Sequence, residues 1–186
     1  MIYIFDFDGV ISAPCFNSEE GTILAEPNDF KHNIRKTKAC YDEYSKPFMP
    51  IINIIKRLKK EGNRILILSS CSSGSQEIFA KLDFLDKYMP GVVDRNDFWG
   101  VNDSCQKGIV LDLLFEQSGV EGHGDIVYVD DNLESLIAIE EQCFGSHGDI
   151  VTAYKEILDS YKYDTLRLYH VTTFLNKFSD KDNSGN

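Results

Sequence analysis

The sequence contains no long apolar run, no paired-cysteine motif and no nucleotide-binding glycine motif. No stretch of its 186 residues approaches the roughly 20 apolar residues that a membrane helix needs. The five cysteines are scattered without a C-x-x-C pair, which argues against both a zinc site and a disulfide framework. A G-x-G-x-x-G fingerprint and a P-loop are also absent, so dinucleotide binding and P-loop chemistry are unsupported. We therefore expect a cytoplasmic protein with reduced thiols and no membrane partner.

Positive charge is scarce as well. The chain has 19 lysine and arginine residues against 30 aspartate and glutamate residues, for a formal net charge of -11. A field of this sign argues against long duplex nucleic acid and repels anionic substrates, unless a metal ion or local cations offset it near the site. One local basic cluster is either a solvated helix face or a contact for extra phosphates, such as those of a nucleotide. Its members are Lys31, His32, Arg35, Lys36 and Lys38.

Three short apolar runs are present, and they predict the strands of a buried sheet. The runs are Ile2 to Phe5, Ile65 to Leu68 and Ile126 to Val129. They are apolar on both faces, as in a parallel sheet that is covered on both sides. Between and after them, apolar residues recur at helical spacing over 51–58, 78–89, 110–115 and 133–137, the second stripe behind a capping box at Ser73 and Gln76. This alternation predicts an α/β fold: a Rossmann-like, doubly wound, mainly parallel sheet with helices on both faces.

Residues 12–46 interrupt the alternation and are polar and rich in turn residues at first. We predict that they form a flap or small cap insertion after the first strand, with a hairpin around "FNSEEGTIL". A helix and the strand "LRLYHV" are expected within 149–178. The chain is then a single domain over 1–178, followed by a disordered tail at 179–186.

All three apolar runs end in polar side chains. Ligands of open parallel sheets bind beyond the carboxyl ends of the strands, so these side chains are expected in one crevice. Each of them alone has an ordinary explanation, since Asp131 would serve as a helix N-cap and Ser69 as a loop residue. Their joint occurrence favours a site, and clustered carboxylates are the ligands that Mg²⁺ prefers. The members are Asp6, Asp8 and Gly9, then Ser69 and Ser70, and finally Asp130 and Asp131.

Lys107 adds a cation to this set. It stands at the start of the predicted helix before the third strand, where a positive charge opposes the helix macrodipole. A solvated surface lysine is the ordinary alternative. Near several acids, however, Lys107 would bind a phosphate and offset the repulsion among the carboxylates.

These segments resemble the four motifs of the haloacid dehalogenase (HAD) superfamily, in their order along the chain. The matching stretches are "FDFDGV", "ILILSS", Lys107 in "QKGIVLDLL", and "IVYVDD". The resemblance implies Mg²⁺-dependent phosphoryl transfer through an aspartyl-phosphate. It makes Asp6 the nucleophile and Asp8 the general acid and base. Ser69 and Lys107 would bind the phosphate oxygens, with Ser70 as the alternative to Ser69.

The resemblance also implies a metal site. Mg²⁺ would be held by Asp6, the backbone carbonyl of Asp8 and Asp130, with Asp131 as a further ligand or a neighbour of one. Gly9 would permit the turn that brings these groups together. The presence of Asp8 favours phosphate chemistry over carbon–halogen cleavage.

The sequence therefore predicts a Mg²⁺-dependent phosphatase for a small phosphomonoester, with nucleotides and polynucleotide ends among the candidates. A phosphotransferase would use the same residues, and the sequence does not separate the two. A regulatory or binding protein on the same scaffold is a third possibility, because a fold does not fix a function. Such a protein would be expected to lack at least one of Asp6, Asp8, Lys107 and Asp130, and all four are present.

Overall fold

The structure is a computed structural model that describes residues 1–14, 41–42, 45–71, 74–117, 126–144 and 166–179. The strands are β1 (Ile2–Phe5), β2 (Ser12–Pro14), β3 (Ser45–Pro47), β4 (Arg64–Ser70), β5 (Phe98–Val101), β6 (Ile126–Asp130) and β7 (Leu166–His170). The helices are α1 (Met49–Lys60), α2 (Ser75–Tyr88), α3 (Lys107–Gln117), α4 (Leu133–Phe144) and α5 (Val171–Ser179).

Five of the strands form one parallel sheet in the order β5-β4-β1-β6-β7. Strand β1 lies in the middle, with Tyr3 beside Ile65 of β4 and Val127 of β6. The order reverses between β1 and β6, and the doubly wound folds bind their ligands at such a reversal. The predicted Rossmann-like α/β sheet is therefore confirmed. The edge strand β5 was not predicted, because its sequence "FWGV" is short and includes a glycine.

Side chains of the strands alternate between two apolar layers, one on each face of the sheet. Tyr3, Ile65 and Val127 belong to the layer that packs against α1, α2 and α5. Ile4 and Leu66 belong to the other layer, which packs against α3 and α4. Each fully buried large apolar side chain stabilises the fold by about 1.5–3 kcal/mol, so the sheet is fixed firmly between its helices.

Helix α1 follows its predicted pattern. Pro50 lies in its first turn, and the apolar stripe from Ile51 to Leu58 is buried. The helix ends at Lys60, and Gly62 then adopts a φ of 86° and donates its N–H to the carbonyl of Lys59 at 3.1 Å. A left-handed glycine of this kind is a common end of a helix.

Helix α2 differs from its prediction in two respects. Its N-cap is Gly74, and no side chain within the described residues caps the helix; Ser73, the predicted partner of Gln76 in a capping box, lies outside the described residues. The predicted apolar stripe is only partly buried, because Ile78 and Leu82 are half-buried. The face toward the sheet carries two charged side chains, Glu77 and Lys81, which are fully buried. Charged groups are buried at this depth only where they find partners, and the partners lie at the end of the sheet.

The ends of the insertion pair with each other. Strands β2 and β3 form an antiparallel ladder in which Ser12 lies opposite Pro47 and Pro14 opposite Ser45. Tyr41, from the insertion, is buried edge-on against the ring of Phe7 at 5.5 Å between ring centroids. The hairpin expected around "FNSEEGTIL" and the basic cluster at 31–38 lie outside the described residues.

At the carboxyl end of the chain, the strand expected from "LRLYHV" is confirmed as β7. Helix α5 continues to Ser179, so the first residue of the predicted disordered tail is helical instead. Its apolar side chains, Phe174 and Phe178, explain the extension because they pack into the core. Residues 180–186 lie outside the described residues. In the part of the chain that the structure describes, no helix is long and apolar enough to cross a membrane.

Candidate active site

Three carboxylates meet where the parallel strands β1 and β6 end side by side. Asp6 follows β1, and Asp130 and Asp131 stand at the end of β6. Each offers one carboxylate oxygen, and these three oxygens lie within 4.8 Å of one another. The N–H of Asp6 donates to the carbonyl of Val129 at 2.9 Å, which ties the two strand ends together. We refer to Asp6, Asp130 and Asp131 as the acidic triad.

Lys107 lies within bonding distance of two members of the triad. Its side chain is buried, and Nζ lies 3.0 Å from Oδ1 of Asp6 and 2.8 Å from Oδ2 of Asp130. Burial alone would lower the pKa of Lys107, but the charges of Asp6 and Asp130 raise it above the usual range, so the side chain is an ammonium ion. The solvated alternative for Lys107 is therefore wrong.

Asp130 is held in place by further donors. Tyr128 lies two residues earlier on the same face of β6, and its hydroxyl donates to Oδ2 of Asp130 at 2.6 Å. The backbone N–H of Asn132 donates to Oδ1 at 2.8 Å. We refer to Lys107, Asp6, Asp130 and Tyr128 as the Lys107 cluster.

Asp6 keeps bonding capacity that this cluster does not use. Its Oδ1 forms the ion pair with Lys107 but, in the part of the chain described by the structure, accepts no hydrogen bond of good geometry. Burial of the carboxyl group raises the pKa of Asp6 and the charge of Lys107 lowers it; with the charges of Asp130 and Asp8, which also raise it, the pKa is about 6. An under-coordinated carboxylate beside two others fits a hard cation, whose positive charge would reverse this shift.

Asp131 is packed against Gly9. Gly9 has a φ of 83°, and a Cβ atom added to it would collide with the carboxylate of Asp131. The ordinary alternative for Asp131, a helix N-cap, is wrong, because Asn132 caps this helix: its Oδ1 accepts the N–H of Glu134 at 2.9 Å. Partial desolvation, followed by the charges of Asp6 and Asp130, raises the pKa of Asp131 to about 7. Because Asp131 is exposed overall, we attribute its raised pKa mainly to repulsion by the charges of Asp6 and Asp130.

A second buried lysine lies on the other side of the site. Lys81 of α2 places Nζ 2.8 Å from Oδ2 of Asp8 and 2.9 Å from Oε1 of Glu77. The same nitrogen donates to Oγ of Ser69 at 2.9 Å and to the carbonyl of Ser70 at 2.7 Å. Burial alone would lower the pKa of Lys81, but the charge of Asp8 and its other neighbours raise it above the usual range. We refer to Lys81, Asp8, Glu77 and Ser69 as the Lys81 cluster.

The insertion adds a donor to Asp8. The hydroxyl of Tyr41 lies 3.2 Å from Oδ1 and 3.4 Å from Oδ2 of Asp8. Burial and the charge of Asp8 raise the pKa of Tyr41 far above its usual range, so the phenol stays protonated and donates. Asp8 is thus held from two directions, by the insertion and by α2.

The structure brings every predicted site residue to one edge of the sheet. Ser69 and Ser70 lie inside β4 rather than after it, and alternation points them to opposite faces. Ser69 faces Lys81, whereas the buried Oγ of Ser70 has no hydrogen-bond partner among the described residues. The choice between these serines as the phosphate ligand stays a prediction.

Four contributors were not found from the sequence: Tyr41, Glu77, Lys81 and Tyr128. The signal that could have found Glu77 and Lys81 is their spacing of four residues on the helix that follows β4. On most helices such a pair is a solvated surface contact. Here the first turns of α2 lie beside the carboxyl edge of the sheet, so the same spacing places the pair at the site.

No protein-family model matches the chain, and no curated protein is similar to it at a significant level. Among solved structures, the chain is similar to the HAD domain of effector protein Lem4 from Legionella pneumophila, with 14% sequence identity and a TM-score of 0.45. The similarity covers 95% of this chain and 92% of that chain. Because the TM-score is low, the site has to be understood from its own residues.

Proposed function

We propose that the protein is a Mg²⁺-dependent phosphatase of the HAD type, acting on small phosphomonoesters in the cytosol. One observation carries the proposal: the acidic triad and Asp8 converge on one edge of the sheet, with a buried lysine on each side. A nucleophile, an acid and base, cationic phosphate ligands and a cation site are the parts that phosphoryl transfer needs.

The residues of the triad fit Mg²⁺. They offer three hard oxygen ligands close together, and Oδ1 of Asp6 has unused bonding capacity. In addition, five carboxyl groups, those of the triad, Asp8 and Glu77, stand against two lysines. When bound, the ion would neutralise charge on the phosphoryl oxygens and on the triad. The backbone carbonyl of Asp8 is proposed as a further ligand.

In the first step, Asp6 acts as the nucleophile. One of its carboxylate oxygens forms a bond to phosphorus while the bond from phosphorus to the leaving oxygen breaks. The electron pair of that bond stays on the leaving oxygen, which receives a proton from the carboxyl group of Asp8. Lys107 and Ser69 hold the non-bridging oxygens as charge develops on them.

In the second step, a water molecule releases the phosphate. The water oxygen bonds to phosphorus, its proton passes to Asp8, and the bond between phosphorus and Asp6 breaks. Asp6 returns to a carboxylate and Asp8 to its protonated form, so both residues are ready for another turnover. Transfer to an acceptor other than water would differ only in this step.

The test is hydrolysis of p-nitrophenyl phosphate with Mg²⁺ or with a chelator, by the wild type and by Asp6→Asn. We expect turnover that requires the metal and falls by at least about 10³-fold in the variant, because the nucleophile is lost. Asp86→Asn, which changes an exposed aspartate on α2, is the matched control and should retain wild-type turnover.

Two results would count against the proposal. Turnover that survives in Asp6→Asn would mean that the nucleophile is wrong. A folded wild type that hydrolyses neither p-nitrophenyl phosphate nor a panel of sugar, nucleoside and amino-acid monophosphates would favour a binding protein. Calorimetry would then measure whether the triad binds Mg²⁺.

A further inference from the structure

We propose that Lys81 is a positioning residue that couples the phosphate-binding hydroxyl of Ser69 to the acid and base Asp8. The inference rests on the proposed function and goes beyond it, because it assigns a task to a lysine outside the four motifs. Lys81 reaches both groups from α2 with a single ammonium nitrogen, at 2.9 Å from Oγ of Ser69 and 2.8 Å from Oδ2 of Asp8.

The direction of these bonds matters. A lysine ammonium has three N–H donors and no acceptor. Four oxygens lie within 2.9 Å of Nζ, those of Ser69, Asp8, Glu77 and the carbonyl of Ser70, so one N–H is shared between two of them. The oxygen of Ser69 therefore accepts from Lys81, and its own hydrogen must point elsewhere. A serine whose lone pair is occupied in this way presents its O–H as a donor, which is what a phosphate oxygen requires. Lys81 thus sets the orientation of Ser69 before any substrate arrives.

The same nitrogen fixes where Asp8 stands. Tyr41 contacts both oxygens of the Asp8 carboxylate at 3.2 and 3.4 Å, and Lys81 approaches Oδ2 more closely. With two donors from different elements, the carboxylate has little rotational freedom. Positioning of this kind limits the directions in which the proton donor can point, and small errors in such placement reduce rates strongly.

Glu77 forms an ion pair with Lys81. It is fully buried one helical turn before Lys81, and its Oε1 lies 2.9 Å from Nζ. Glu77 balances the charge of Lys81 and fixes its ammonium group between Ser69 and Asp8. The contacts of Lys81 join this buried pair to two side chains of the proposed reaction, Ser69 and Asp8.

The geometry is tested first without catalysis, in the metal-free protein. The ¹⁵N-labelled ammonium of Lys81 should give an NMR signal protected from water exchange, assigned by its loss in Lys81→Met. Ser69→Ala and Glu77→Gln should each shift that signal, whereas Lys87→Met on the exposed face of α2 should leave it unchanged. The proposal would be overturned if the Lys81 ammonium protons exchanged with water as fast as those of Lys87. It would also be overturned if neither substitution shifted the Lys81 signal.

The functional test compares good and poor leaving groups. A residue that positions the acid matters most when the leaving oxygen needs a proton, so kcat/KM should depend more steeply on leaving-group pKa in Lys81→Met. We expect kcat/KM for an alkyl phosphate to fall at least about tenfold more than for p-nitrophenyl phosphate. Because Lys81→Met leaves Glu77 buried without its cation, the double variant Glu77→Gln/Lys81→Met is measured beside it and should show the same steeper dependence.

The possible failures are separable. A wild type without Mg²⁺-dependent turnover would overturn the proposed function itself. A wild type with turnover, in which the single and double variants lose the same factor for every leaving group, would overturn only the role of Lys81. Lys87→Met should match the wild type for both classes of substrate.

Discussion

The two buried lysines approach the same site from opposite faces of the sheet, and their surroundings differ in a revealing way. Lys107 contacts two members of the acidic triad, Asp6 and Asp130. Lys81 contacts one carboxylate at the edge of the site, Asp8, and one that lies beneath it, Glu77. The charge that Lys107 balances is charge that a divalent cation also balances. The charge of Glu77 is balanced by Lys81, away from the triad.

The largest expected effect comes from removing each lysine in turn. Lys107→Met and Lys81→Met both leave buried carboxylates without their cation, which costs about 3–5 kcal/mol of unfolding free energy. Saturating Mg²⁺ should restore a large part of the loss in Lys107→Met, because the ion binds the orphaned triad. It should stabilise Lys81→Met no more than it stabilises the wild type.

Urea denaturation with Mg²⁺ or with a chelator measures these differences. Lys87→Met removes an exposed lysine from α2 and should stay within about 0.5 kcal/mol of the wild type. Equal stabilisation of both buried-lysine variants by Mg²⁺ would contradict the distinction between the two clusters.

The second effect concerns pH and arises at Asp6 and Asp131. The pKa of Asp6 in the folded protein is raised from 3.8 to about 6, so the folded state holds a proton that the unfolded state has already lost. Stability of the metal-free protein should therefore fall as the pH rises from about 4 to 6, by about 3 kcal/mol for Asp6. Asp131, whose pKa is about 7, extends the fall toward neutral pH.

Urea denaturation across pH 4–8 in chelator measures this slope. Mg²⁺ should remove the fall, since a bound cation favours the carboxylates, and Asp6→Asn should remove the contribution of Asp6. An unchanged slope in Asp6→Asn would assign the pH dependence to other groups.

A smaller effect separates two glycines with the same backbone conformation. Gly9 and Gly62 have φ values of 83° and 86°, so alanine is strained at both and costs about 1–2 kcal/mol. A Cβ at Gly62 meets open space, whereas one at Gly9 collides with Asp131. We expect Gly9→Ala to weaken Mg²⁺ binding, measured by calorimetry, at least about tenfold more than Gly62→Ala. Equal affinities would show that Asp131 does not contribute to the metal site.

The smallest difference lies between the two tyrosines. Tyr128 donates to Asp130 at 2.6 Å in a buried setting, and Tyr41 donates to Asp8 at 3.2 Å. Short bonds to charged acceptors contribute more, so Tyr128→Phe should cost about 1 kcal/mol more than Tyr41→Phe in thermal or urea unfolding. The reverse order would mean that Asp8 depends on the insertion more than its distances suggest.

The sequence predicted the Lys107 side of the site better than the Lys81 side, for a physical reason. Asp6, Asp130 and Lys107 stand at the ends of elements that apolar patterns mark clearly. Parallel strands bring such ends together, so position along the chain translates directly into position in space. The triad could therefore be anticipated before any coordinates.

Lys81 and Glu77 lie inside a helix, where a pattern of apolar residues determines the expected inner face. Ile78 and Leu82 predicted that their face of α2 packs against the sheet. In the structure these two are only half-buried, and the face that carries Glu77 and Lys81 is buried instead. Ion pairs of this kind depend on partners far away in the sequence, such as Asp8. Periodicity within one helix carries no information about those partners.

The ladder between β2 and β3 has a consequence for how the protein can vary. It brings the two ends of the insertion side by side at Ser12 and Pro47, so the chain leaves the sheet and returns at nearly the same point. Loop closure depends only weakly on length, by about 0.6 kcal/mol for each doubling. Segments of very different size could replace the chain between these two strands while the parallel sheet and the triad stay intact. Such a replacement would remove the hydrogen bond that Tyr41 donates to Asp8.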